Sequence, residues 1–173
     1  MRLFIAINFD EETRNNIIAV QQRLRVFGKG NFSQPENLHL TLAFLGEIDP
    51  TQVHAVQHAM DRTTVRPMSL TFDYVGRFKR DGGDIWWIGL SENRTLLSLQ
   101  KELSVHLADA GFHLEDRRFS PHITLAREVR LATQPEPSTL LGLAFSTRAS
   151  TISLMRSERI SGRLVYTQQY CRG

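Results

Sequence analysis

Apolar and polar positions change period several times along this chain, and each change marks an element. "RLFIAINF" near the start carries apolar side chains on both faces and is rich in β-formers, which predicts a first strand. Asp10 then stands ready to cap a helix with an acidic first turn, Glu11 and Glu12. Ile17, Ile18, Gln21 and Leu24 fall near one face of that helix, and Gly28 and Gly30 supply its stop. Asp49 followed by Pro50 opens a second helix, with Val53, Val56 and Met60 at helical spacing. The run "MSLTFDYVGRFKRDGGDIWWIGL" reads as two strands joined by the turn Asp81-Gly82-Gly83. Leu96, Leu99, Leu103, Leu107 and Ala110 keep a 3.6-residue period that Gly111 ends. Further on, "LATQPEPSTL" reads as a Pro-containing loop, "FSTRASTISLMRSE" alternates as one long strand, and the Ser161-Gly162 turn leads into a closing strand, "RLVYTQQYCR".

Two strands break the simple pattern of polar-out, apolar-in. In "LHLTLAFLG", His39 and Thr41 share one face while Leu40 and Leu42 take the other; in "RFSPHITLARE", His122 and Thr124 repeat the arrangement opposite Ile123 and Leu125. Both follow a Phe-Ser…Pro approach and both stand beside a predicted helix. This faint duplication predicts two lobes related by a pseudo-twofold axis.

Composition narrows the setting. The 173 residues are 41% hydrophobic and 23% charged, which suits one core and predicts one domain, residues 1–173. A net charge of +3 mildly favours an anionic partner. The single cysteine, Cys171, rules out an intrachain disulfide and thus a disulfide-stapled secreted fold. The opening stretch lacks a signal-type apolar region and no run approaches the roughly 20 apolar residues of a membrane span, so a cytoplasmic address and no membrane partner are expected.

Two imidazoles and two hydroxyls in one cleft are equipment for general acid and base catalysis at a phosphate. One histidine would take a proton from an attacking water and the other would protonate the departing oxygen. The threonines would hold the non-bridging oxygens. Neither role calls for a metal or a cofactor, and no Walker-type loop or dinucleotide fingerprint is present; "DGGD" is a turn. His54 and His58 have a chelating spacing on a predicted helix but lack a third ligand nearby, so they read as solvent-facing, and His106 and His113 as flanking a helix end. Trp86 and Trp87 face opposite ways on their strand, which allows one into the core and leaves the other to stack on a base. Arg77, Lys79, Arg80, Arg117 and Arg118 suit either an RNA backbone or a solvated face.

"HLTL" at 39–42 and "HITL" at 122–125 resemble the paired His-x-Thr-x motifs of the 2H phosphoesterase superfamily. More narrowly, "NLHLTLAFLGE", "SPHITLAR" and the "RLFIAI" opening resemble bacterial RNA 2′,3′-cyclic phosphodiesterases of the 2′-5′ RNA ligase type, along essentially the whole chain. The resemblance implies an α+β bilobal fold, with two antiparallel sheets facing across a central cleft and helices outside. It implies hydrolysis of an RNA 2′,3′-cyclic phosphate to a 2′-phosphomonoester, with weak reversible 2′-5′ joining. It also implies His39 as proton donor and His122 as acceptor, an order that the local sequence leaves open. Arg127 matches a basic residue of these relatives and would bind phosphate alongside Thr41 and Thr124. Five residues beyond His122, however, it faces away in a regular strand, so a bulge or strand end is needed to bring it round. Other phosphodiesters, such as 2′-5′ oligonucleotides or nucleotide cyclic phosphates, and a non-catalytic RNA-end binding module, stay open.

Overall fold

The computed structural model describes residues 1–173. In chain order the elements are β1 (Arg2–Asn8), α1 (Glu11–Arg25), β2 (Gly28–Phe32), β3 (His39–Glu47), α2 (Val53–Arg62), β4 (Met68–Phe78), β5 (Asp84–Leu90), α3 (Arg94–Asp109), β6 (His122–Leu131), α4 (Pro137–Leu141), β7 (Phe145–Ala149), β8 (Ile152–Ile160) and β9 (Arg163–Arg172). They form two antiparallel sheets, one in the order β3-β1-β8-β9 and the other β2-β6-β5-β4-β7.

The apolar run of β1 is explained by its place. It pairs with β3 on one side and β8 on the other, and Leu3 to Ile7 are all buried. Helix α1 starts where Asp10 accepts the Thr13 amide, 2.9 Å away, and Ile17, Val20 and Leu24 enter the main core. In α3, Asn93 caps the Leu96 amide at 2.9 Å and the four leucines at 96, 99, 103 and 107 are buried. Each buried leucine stabilises by roughly 1.5–3 kcal/mol relative to exposure. The main apolar cluster draws on both sheets and on the helices. No helix is long and apolar enough to cross a membrane.

Three sequence expectations change. Gly28 and Gly30 do not stop α1, which ends at Arg25; they belong to β2, where a Cβ on Gly28 would lie 2.2 Å from the Arg130 carbonyl oxygen. Close strand approach, not helix termination, is what requires that glycine. The Pro-containing stretch holds a one-turn helix, α4, that starts on Pro137 and buries Leu140 and Leu141; it is too short to show a period. The long alternating run is two strands that part at Ser150-Thr151, β7 edging one sheet and β8 entering the other, a switch that leaves the period-2 pattern intact.

The duplication is real in the pairing. Asn8, Ala6 and Ile5 of β1 face His39, Thr41 and Ala43 of β3, and Gly89, Trp87 and Trp86 of β5 face His122, Thr124 and Ala126 of β6. One residue, Leu42 in β3 and Leu125 in β6, is skipped at the same point in each lobe.

Candidate active site

That skipped residue is a β-bulge, and it answers the geometric objection to Arg127. Leu125 and Ala126 are consecutive buried positions, so the alternation slips by one and Arg127 returns to the face of His122 and Thr124. At the bulge the Leu125 carbonyl accepts from the Gln21 side-chain amide (2.9 Å) and the Ser33 backbone amide (3.0 Å). The other lobe mirrors this: Gln100 of α3 donates to the Leu42 carbonyl at 3.2 Å. The same slip turns Phe44, the counterpart of Arg127, toward the cleft.

Strands β3 and β6 lie in different sheets and meet at one cleft of about 1430 Å³, lined by His39, Thr41, His122, Thr124 and Arg127 together. Each histidine is held alike. His39 Nδ1 lies 2.7 Å from the Asn37 carbonyl and His122 Nδ1 lies 2.7 Å from the Ser120 carbonyl. A carbonyl only accepts, so both Nδ1 atoms carry hydrogen, and each neutral ring is left with a basic Nε2. His39 Nε2 is 2.9 Å from the Thr41 hydroxyl, which donates to the neutral ring and accepts from the charged one. His122 Nε2 has no protein partner. Aromatic rings brace both: Phe4 (4.8 Å) and Tyr166 (5.3 Å) about His39, Phe78 (5.5 Å) and Trp87 (5.8 Å) about His122.

The electrostatics are unequal. Burial, followed by the facing His122 and Arg127, pushes the His39 pKa below the ordinary imidazole value, opposed by the Asn37 carbonyl. Burial raises the Tyr166 pKa, outweighing Arg127, Arg2 and Arg159, all of which favour its ionised form.

Sequence reasoning missed Phe4, Tyr166, Arg2 and Arg159, all on the cleft wall formed by β1, β8 and β9. Their alternation was visible, but not which sheet face would be the cleft. The basic residues singled out instead lie elsewhere. Arg77 pairs with Asp84 at 3.0 Å, Arg117 pairs with Glu115, and Lys79, Arg80 and Arg118 are exposed away from the cleft. Trp86 is in the core, and Trp87 packs between the Gly76 backbone, Phe78 and His122. His54, His58 and His113 are exposed, while His106 Nδ1 meets the Thr63 hydroxyl at 3.0 Å. Cys171 is an exposed free thiol.

Two antiparallel lobes, each bringing a His-x-Thr-x strand to a shared cleft, define a 2H phosphoesterase. The chain belongs to the 2′-5′ RNA ligase superfamily, whose family model matches residues 12–160. It is 33% identical to an Escherichia coli RNA 2′,3′-cyclic phosphodiesterase over 168 residues, covering 96% of this chain and 92% of that protein. An Archaeoglobus fulgidus protein of the same name is 31% identical over 131 residues, 75% of this chain and 74% of that one. The solved E. coli LigT complexed with 3′-AMP superposes with a TM-score of 0.85 at 31% identity, covering 99% of this chain and 96% of that chain.

Proposed function

We propose that this protein hydrolyses the 2′,3′-cyclic phosphate at an RNA end to a 2′-phosphomonoester, in the cytoplasm, without a metal ion, and with both lobes acting as one catalytic unit. The observation that carries the reading is the pair of Nδ1-anchored imidazoles that share one cleft, His122 with its Nε2 unpartnered and His39 with its Nε2 on the Thr41 hydroxyl. The activity carried by the named relatives supports the same substrate.

In this mechanism His122 Nε2 takes a proton from water as its oxygen bonds to phosphorus. His39 Nε2 gives a proton to the departing 3′ oxygen as the P–O3′ bond breaks, leaving a 2′-phosphate and a 3′-hydroxyl. The hydroxyls of Thr41 and Thr124 and the Arg127 guanidinium hold the non-bridging oxygens as charge builds. A lowered pKa leaves His39 neutral in the empty cleft at pH 7; the phosphate's negative charge offsets the repulsion of His122 and Arg127 and helps recharge it. With the 5′-hydroxyl of a second strand in place of water, the same proton transfers form a P–O5′ bond as the P–O3′ bond breaks, leaving a 2′-5′ phosphodiester and a 3′-hydroxyl, a weak 2′-5′ ligation.

The test is a short RNA bearing a 2′,3′-cyclic phosphate, incubated with purified protein and excess EDTA, with the terminus identified chromatographically. A 2′-phosphate that disappears in His39→Ala and His122→Ala is the expected result. Tight binding with no product would make the cleft an RNA-end binding module instead.

A further inference from the structure

The cleft is larger than its chemistry needs. Small-molecule sites commonly occupy about 300–1,000 Å³, and this one holds about 1430 Å³. Much of its lining comes from β1, β8, β9 and the turn between the last two, and that wall is unevenly charged. Arg163 is paired with Glu36 at 2.6 Å and Arg156 with Glu158 at 3.4 Å. Arg2 and Arg159 are exposed in the cleft and pair with no carboxylate; Arg159 donates only to the Gly162 carbonyl of its own turn.

Their register shows what they suit. Ala6 faces Thr41, and Arg2 lies four positions away along β1 on the same face, about 13 Å at the usual strand rise. Ser157 faces Arg2 across the sheet, and Arg159 lies two positions further out on β8. The reacting phosphate already has Arg127, so this second cationic position suits another phosphate of the same strand. Between the two stands Phe44. Where β6 carries Arg127 after its bulge, β3 carries this phenylalanine, 48% exposed on the cleft, with the Arg2 guanidinium 5.0 Å from its ring centre.

Resting on the cyclic phosphodiesterase reading, we infer that this wall is a second nucleotide subsite, in which Arg2 and Arg159 hold the phosphate 5′ to the cyclic end and Phe44 stacks on the adjoining base. The substrate is then an RNA strand rather than a mononucleotide. Stacking on an aromatic accepts any base, so the subsite selects for chain and not for sequence.

The experiment compares kcat/KM for adenosine 2′,3′-cyclic phosphate and for a trinucleotide with the same end. The expected preference for the trinucleotide is at least tenfold, and the double variant Arg2→Gln/Arg159→Gln reduces that ratio to near one. Phe44→Leu lowers the ratio by about tenfold, while Arg148→Gln, which removes an exposed charge from the distant edge strand β7, leaves it intact. The salt dependence of trinucleotide binding loses about 0.7 in log-log slope for each lost phosphate contact. Equal use of both substrates by the wild type, or a preference that survives the double variant, overturns the subsite. If neither substrate is turned over, the cyclic phosphodiesterase reading fails by itself. Fluorescence anisotropy with a 3′-phosphorylated trinucleotide then judges the subsite: binding weakened at least tenfold by the double variant supports it, and unchanged binding overturns it.

Discussion

The lobe that carries His39 and the lobe that carries His122 are alike in backbone and unlike in surroundings. Each holds its histidine through Nδ1 to a carbonyl two residues back, braces it with two aromatic rings and follows its motif with a one-residue bulge. Yet His39 is bonded to its threonine and has a lowered pKa, whereas His122 Nε2 is free; and the residue turned inward by the bulge is Phe44 in one lobe and Arg127 in the other. Symmetry places two imidazoles in one cleft. Departures from symmetry give them different surroundings and give the cleft a cationic side and an aromatic side.

The comparison breaks most completely when either histidine is removed. His39→Ala and His122→Ala should each lower kcat by about 10²- to 10⁴-fold with circular dichroism unchanged; a loss confined to one variant would leave a single proton-transfer group. Next is Arg127→Leu, which removes the guanidinium that β6 contributes to the cleft. Its kcat/KM should fall by about 10²-fold, the scale set by loss of one transition-state anion donor. Gln21→Leu and Gln100→Leu probe the supports of the two bulges. Gln21 is buried and gives both amide hydrogens to carbonyls, those of Ser33 (3.0 Å) and Leu125, so its loss should cost about 1–3 kcal/mol in urea unfolding. Gln100 is half-buried and should cost less.

The smallest effect sharpens the electrostatic difference. Because His39 has a lower pKa folded than unfolded, the unfolded chain binds more protons from about pH 6.5 down to the folded value. Stability from this group is therefore present above pH 6.5 and is lost as pH falls through that window. Urea titrations at pH 7.5 and 5.5 should show a smaller decline for His39→Asn than for the wild type. With His39 as the proposed proton donor, kcat/KM should decline as pH rises past its lowered value.

Much of this site was legible because alternation along a strand is a local property. His39 with Thr41 and His122 with Thr124 needed only a period of two to be placed on common faces. Arg127 lay at the wrong parity until the bulge was known, and a bulge is fixed by what donates to its carbonyl; here that is Gln21, more than a hundred residues away in sequence. The first helix's pattern included Gln21 on its buried face without indicating why. β2 escaped notice because its glycines serve a neighbouring strand, and the β7–β8 division because alternation does not record a change of sheet. Tyr166 and Arg159 had no local signature, since only assembly of β8 and β9 beside β1 turns them toward the histidines.

The central position of β1 also sets an order of events during synthesis. Its partner β8 begins 144 positions after β1 ends, from Asn8 to Ile152, a delay of about 7 to 30 s on a ribosome adding 5–20 residues per second. All five strands of the β2-β6-β5-β4-β7 sheet emerge within that interval, while one edge of the apolar β1 waits unpaired and open to wrong partners. Both histidines are then already made, but the wall of Tyr166 and Arg159 is not. A nascent chain thus completes its two His-x-Thr-x strands early and the arginine-bearing wall of the cleft last.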